Sequence, residues 1–275
     1  MRGRGWLFLT PLMLGLALIA SCKPINLFSP LIDPSKLSNE AKLEAGYNAI
    51  SDGDYTEAVD YFSDVIDSSS GDELTDALIG RATAYINIGA PDLDEATQDI
   101  MEGETDIDSL GQFIQTMKGS NSYATFFATV QLAAMDYNDA MDNSGGITDS
   151  GLLVEVYQTN MMAATGVGAT KIALDNDDVT SGGISDAEID AILDGTAGGH
   201  QYNIDTWGSS SAPNGLANYV AGSPGDRAEM LGYLQGAFNA LNVLELDPPL
   251  DMDIPTMKSN INDWVTNGLG LSALT

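Results

Sequence analysis

The stretch "GDYTEAVDYF", residues 53–62, indicates a boundary between two helices, because it combines a helix break, a helix start and an apolar face. A glycine followed by Asp54 is typical of the end of one helix and the start of the next. Glu57 lies three residues further on, where a capping pair requires it. Ala58 and Phe62 then fall on one helical face. The stretch therefore predicts a helix that packs against the helix before it.

A partly similar stretch lies downstream, "DLDEATQDI", residues 92–100. Asp92 and Glu95 repeat the capping pair, and Asp92 lies 38 residues after its counterpart in the first stretch. Flanking patterns predict a helix from Ser38 to about residue 50 and another from about residue 73 to residue 88. Residues 38–106 therefore form two predicted helix–turn–helix units, and such a repeat is typical of a helical solenoid.

The two units resemble tetratricopeptide repeats, although the second unit has a longer internal turn than the first. The resemblance rests on small and aromatic residues at matching positions: Gly46, Gly53, Asp54, Tyr55, Ala58 and Phe62, then Ala82, Tyr85, Gly89, Ala96 and Ile100. It implies a groove for a protein partner, lined by the first helix of each unit. On this sequence the groove residues are Tyr47, Ile50, Ser51, Thr83, Ile86 and Asn87.

The remainder, residues 107–275, resembles no family but is mostly helical in pattern. Two repeats are fewer than the roughly three that a stable solenoid needs, so we expect this acidic region to pack on the repeats as one domain. The expected fold is all-α, with tetratricopeptide-like hairpins completed by further helices in an α-solenoid-like arrangement. Helical segments are predicted at 109–117, 123–141, 149–174, 185–193, 226–244 and 254–269. Segment 123–141 is apolar nearly all round, which predicts burial between neighbours.

The first residues predict export. Residues 1–21 combine two arginines, an apolar run and small residues before Cys22, which is the pattern of a secretory signal. The residues leading to Cys22 resemble the lipobox of bacterial lipoproteins, which implies cleavage before Cys22 and its acylation. Residues 22–37 then predict an extended tether. By the same resemblance, Lys23 favours an outer-membrane anchor, with the protein facing the periplasm.

Composition excludes several functions. The formal net charge is −30, so nucleic acid is not an expected partner, because phosphate-binding surfaces need clustered lysine and arginine. The chain has one cysteine and one histidine, His200, which excludes zinc sites built from several such ligands. We therefore expect a non-enzymatic protein without a resident cofactor.

One segment raises the possibility of calcium binding. In "DNDDVTSGGISDAEIDAIL", residues 175–193, the side chains of Asp175, Asp177, Ser181 and Glu188 resemble parts of an EF-hand loop. The spacing from the first aspartate to Glu188 is longer than the standard loop. The alternative is that Ser185 caps the following helix, with acidic residues favourable in its first turn.

Two functions compete. The first is an outer-membrane scaffold that binds a partner protein through the repeat groove. The second is a solute- or ligand-binding accessory lipoprotein of a periplasmic transport system, in which the apolar run 152–174 lines a pocket. Ordinary core packing is the simpler explanation of that run.

Overall fold

Three helices, separated by glycine turns, begin the fold. The structure is a computed structural model that describes residues 36–93, 110–143, 146–175, 185–193, 224–249 and 252–275, with the backbone alone at 110–112 and 172–175. The first helices are α1 (Asn39–Asp52), α2 (Tyr55–Ile66) and α3 (Asp72–Gly89). Gly53 has φ +80° and Gly71 has φ +64°, a conformation that glycine adopts without steric cost.

These helices pack around one aromatic ring. Phe62 of α2 is fully buried, and it faces Gly46 of α1 and Gly80 of α3. Ala58 and Ala77 are also fully buried in this small core. Helix α2 therefore contacts α1 and α3 through small residues that allow a close approach of the backbones.

The predicted cap of α2 is wrong in one respect. Asp54 occupies the N-cap position, but its side chain makes no capping hydrogen bond. Instead the Asp54 N–H donates to the Ala49 carbonyl oxygen, which closes the turn after α1. The second predicted cap is only partly described, because Glu95, Ala96 and Ile100 lie outside the described residues. Asp92 lies in a turn, and Leu93 is fully buried.

Six further α-helices follow in the described ranges, and no β-strand occurs in them, which confirms the all-α prediction. The last of them continues into a π-helical turn, in which the Leu269 N–H donates to the Trp264 carbonyl oxygen at 2.9 Å. These elements are α4 (Leu110–Lys118), α5 (Tyr123–Asp142), α6 (Ser150–Asp175), α7 (Asp186–Leu193), α8 (Pro224–Leu244), α9 (Ile254–Asp263) and the π-helical turn (Trp264–Gly268).

Helix α6 is the centre of the second half. It packs against α5, α7 and α8, and all its residues from 158 to 169 are buried. Helix α3 packs on α5, and α9 packs on α8, so α3 and the later helices share one large core, whereas α1 and α2 pack around the small core of Phe62. Residues Asn39–Thr275 form one compact unit.

A buried ion pair joins α3 to α5. The Arg81 guanidinium donates to both carboxylate oxygens of Asp136, at 2.8 and 2.7 Å, and also to the Ser63 hydroxyl of α2. Burial raises the pKa of Asp136, and the hydrogen bonds from Arg81 oppose that rise. The pair therefore holds α3 against α5, because breaking it would leave an uncompensated charge.

Helix α5 is not buried on every face, contrary to the prediction from its composition. Leu132 is 42% exposed and Met135 is 54% exposed. Ala124 and Ala128 precede them on the same exposed side. Helix α5 therefore carries an exposed apolar stripe, although most of its other residues are packed in the core.

Among the described residues, no helix combines the length and apolar character that crossing a membrane requires. The predicted signal segment and Cys22 lie outside the described residues, as does all of the predicted tether except residues 36 and 37.

Candidate ligand pocket and partner surface

The predicted groove residues lie on α1 and α3, and Tyr47 joins the two helices. The Tyr47 hydroxyl donates to the Asp76 carbonyl oxygen at 3.1 Å, and its ring meets the Phe62 ring edge-on at 5.1 Å. Tyr47 is still 44% exposed. Burial of the rest of the side chain raises the pKa of Tyr47, and the nearby Asp76 charge raises it further.

The structure separates Ile86 from the other predicted groove residues. Ile86 is 1% exposed and belongs to the large core, so its side chain cannot reach a docked partner. Asn87 donates to the Thr83 carbonyl oxygen at 2.9 Å, and both side chains are half-buried. Ser51 is exposed, while Ile50 packs partly against the small core around Phe62. The open face therefore consists of Tyr47, Ser51, Thr83 and Asn87.

The calcium prediction is tested only at its last residue. Glu188 accepts hydrogen bonds from the Ser185 N–H at 2.7 Å and from its hydroxyl at 2.9 Å. The Ser185 hydroxyl accepts in return from the Glu188 N–H, which is a capping box. These hydrogen bonds, chiefly that from the Ser185 backbone, lower the pKa of Glu188.

The other predicted calcium ligands are not described. Asp177, Ser181 and the side chain of Asp175 lie outside the described residues. The described residues contain no cluster of three metal-ligating side chains. Calcium binding therefore stays a prediction, and a rise in melting temperature at millimolar calcium would support it, whereas an unchanged melting temperature would remove it.

A cavity of about 550 Å³ lies between α5, α6, α7 and the start of α8. Its walls are mainly apolar and are supplied by three of these helices. The apolar lining consists of Tyr123, Ala124, Phe127, Ala128, Val167 and Ile189. Aromatic and aliphatic walls of this kind supply binding energy for a small molecule.

Gly166 of α6 packs against Phe127, one of the residues that line the cavity. A Cβ atom on Gly166 would lie 2.6 Å from the Phe127 ring, so only glycine allows α5 and α6 to approach this closely. The Phe127 ring stacks on the Tyr123 ring with centroids 5.5 Å apart. The start of α5 is fixed by Ser122, whose hydroxyl accepts from the Thr125 N–H at 3.2 Å. The two rings are therefore held rigidly at one wall.

Helix α7 is attached to the same wall by polar contacts. Asp186 accepts from the Tyr123 N–H at 3.0 Å, and its other oxygen lies 3.7 Å from the Lys118 ammonium. The Tyr123 hydroxyl donates to Asp190 at 2.6 Å. Asp186 therefore serves mainly to hold α7 against α5, and its charge is balanced by Lys118.

The polar lining carries more negative than positive charge. Asp226 and Glu229 lie in the first turns of α8, and Lys171 lies near the end of α6. Glu229 also accepts from the Tyr233 hydroxyl at 3.3 Å. Burial, and then the Glu229 charge, raise the pKa of Tyr233. Gln131 and Thr170 complete the lining with uncharged polar groups.

No protein-family model matches the chain, and comparison with curated proteins and with solved structures also returns no match.

Sequence reasoning identified only one wall of this pocket. Val167, Thr170 and Lys171 belong to the run 152–174 that was considered as a pocket lining. The contributions of α5, α7 and α8 were missed, because they depend on contacts between distant segments. The aromatic cluster "SYATFF", residues 122–127, was the one local signal that could have indicated it.

Proposed function

We propose that this chain is an exported, lipid-anchored protein that binds a small molecule in the pocket between α5, α6, α7 and α8 without converting it. The observation that carries the proposal is the cavity of about 550 Å³, which is lined by six apolar and six polar or charged residues. Ligand pockets typically have volumes of roughly 300–1,000 Å³. The scarcity of histidine and cysteine supports binding over catalysis.

Export and anchoring belong to the same proposal. Their support is the pattern of residues 1–21 and the lipobox-like residues that end at Cys22. Several acyl chains on one cysteine would hold the protein firmly, since each buried methylene contributes about 0.8 kcal/mol. A pocket on such an anchored body would hold solute close to a membrane.

The test is a ligand screen by thermal denaturation with a blocking variant. Ala128 lines the pocket and is exposed, so Ala128→Trp projects an indole ring into the cavity without disturbing the core. Ala228 of α8 is also exposed but does not line the pocket, so Ala228→Trp is the matched control. The panel contains small amines, alcohols and carboxylic acids that carry a phenyl or short alkyl group.

We expect at least one compound to raise the melting temperature of the wild type and of Ala228→Trp, because a ligand that binds only the folded state stabilises it. The same compound should leave Ala128→Trp unchanged. If no compound distinguishes the blocking variant from its control, the pocket is not a ligand site.

A second candidate function is docking of a protein partner on the open face of α1 and α3. The observation that favours it is Tyr47, which is 44% exposed although it is fixed by contacts to both helices. Exposed tyrosines held in this way are frequent in binding surfaces. The resemblance to tetratricopeptide repeats supports the same face.

Photo-crosslinking in membranes tests this second function. A photoreactive residue at Ser51 should give one specific adduct, and Tyr47→Ala should weaken that adduct. Leu246 is 86% exposed and lies beyond the end of α8, so a photoreactive residue at that position is the control. Equal crosslinking from both positions would refute a specific docking face.

A further inference from the structure

We infer that the pocket selects an organic cation with an apolar body, such as an amine or quaternary ammonium compound with an aromatic or aliphatic group. This inference rests on the proposed function, because it names the ligand class of the same pocket. Its grounds are the aromatic wall, the carboxylates of α8 and the charge of the whole chain.

The aromatic wall already holds a cation on one of its rings. The Lys118 ammonium lies 4.9 Å from the centroid of the Tyr123 ring, within the distance at which a ring face attracts positive charge. The Phe127 ring is stacked beside that ring and lines the same cavity. Both rings are nearly buried, with Tyr123 2% and Phe127 6% exposed, so they form an apolar wall, and the carboxylates of α8 supply the preference for a cation over a neutral group of the same shape.

The charges around the cavity lead to the same ligand class. The positive charge of Lys118 offsets the negative charge of Asp186. The other charged residues of the lining are Asp226 and Glu229, which are negative, and Lys171, which is positive. The start of α8 contributes a positive partial charge of about half a unit, which does not cancel the remaining negative charge. The formal net charge of −30 also raises the local concentration of cations around the protein.

The experiment is isothermal titration of the full chain in nonionic detergent at low ionic strength with three probes. They are benzyltrimethylammonium, its uncharged isostere neopentylbenzene, and the anion phenylacetate. We expect benzyltrimethylammonium to bind about tenfold more tightly than neopentylbenzene, and phenylacetate to bind most weakly. Affinity for the cation should fall as salt is added.

Two charge variants locate the effect. Glu229→Gln should weaken cation binding about fivefold, because it removes one carboxylate from the cavity. Asp247→Asn makes the same change in net charge at the exposed far end of α8, so its affinity should stay within about twofold of wild type.

Each outcome decides one claim. Equal binding of the cation and the neutral isostere, with loss of both in Ala128→Trp, overturns the choice of a cation and leaves the pocket as a ligand site. Preference for phenylacetate, or equal effects of the two charge variants, also overturns it. If none of the three probes binds, the cation inference fails, and the wider compound panel decides the proposed function separately.

Discussion

Substitution of Gly80 measures how closely α2 and α3 pack. A Cβ atom at Gly80 would lie 2.4 Å from two atoms of the Phe62 ring, and Phe62 is fully buried between α1 and α3. The ring has little free space, because Gly46 of α1 is also close: a Cβ atom there would lie 2.7 and 2.8 Å from the same two ring atoms. Overpacking of this kind costs about 1–3 kcal/mol.

Helix propensity acts in the opposite direction, since alanine in a helix interior is favoured over glycine by about 1 kcal/mol. A clash as close as 2.4 Å belongs to the upper part of the overpacking range, so the steric cost exceeds this gain. We therefore expect Gly80→Ala to lower the free energy of unfolding by about 1–2 kcal/mol. For a chain of this size that corresponds to a fall of about 3–5 °C in melting temperature, measured by circular dichroism.

Gly232 provides the matched control. It lies in the interior of α8, it is exposed, and a Cβ atom there would meet nothing within 4 Å. Gly232→Ala should therefore raise the free energy of unfolding by up to about 1 kcal/mol. Phe62→Leu should relieve part of the damage in Gly80→Ala, so that the double variant is more stable than the sum of the single effects predicts. If Gly80→Ala has the same free energy of unfolding as Gly232→Ala, the tight packing of α2 on α3 is refuted.

Three further predictions concern an ion pair, a helix cap and the lipid anchor. Asp136→Asn should lower the free energy of unfolding by about 3 kcal/mol, because it leaves the Arg81 guanidinium without its carboxylate. Asp136→Leu combined with Arg81→Met should lower it less, because no charge is left unpaired. Urea denaturation measures both values, and an equal or larger decrease in the double variant contradicts this expectation. Hydrogen bonds from the Thr256 hydroxyl, and then from its backbone N–H, lower the pKa of Asp253. This cap therefore stabilises the folded state at pH values above the ordinary aspartate pKa, and its contribution is lost as the pH falls below about 4. Asp253→Asn keeps a capping side chain, and its melting temperature should depend less on pH in that range; an unchanged pH dependence counts against the cap. Cys22→Ser should release the protein from membranes on cell fractionation, and retention of the variant in the membrane fraction argues against acylation at Cys22.

The helices could be predicted from the sequence because their signals are local. Gly53 and Gly71 mark turns, and each lies at a positive φ in the structure. The predicted segment 123–141 corresponds to Tyr123–Asp142, and the predicted segment 149–174 corresponds to Ser150–Asp175. Helical periodicity and helix-breaking residues were therefore sufficient to predict most of the helices.

The pocket could not be predicted, because its contacts join residues far apart in sequence. Asp186 is 63 residues from Tyr123, and no local pattern indicates that their helices meet. The groove prediction placed Ile86 at an open surface because the family resemblance fixes a face only approximately. In the structure α3 packs on α5, and Ile86 lies in the large core.

Methyl nuclear magnetic resonance, with benzyltrimethylammonium and neopentylbenzene added separately, reports whether a ligand binds between the walls of the pocket. Val167 and Ile189 line the pocket from two different helices. We expect their methyl resonances to shift together along one binding curve with at least one probe, while those of Val65, buried around Phe62, stay unchanged. Binding of either probe that leaves Val167 and Ile189 unshifted, or shifts that are as large at Val65, would contradict ligand binding in this pocket.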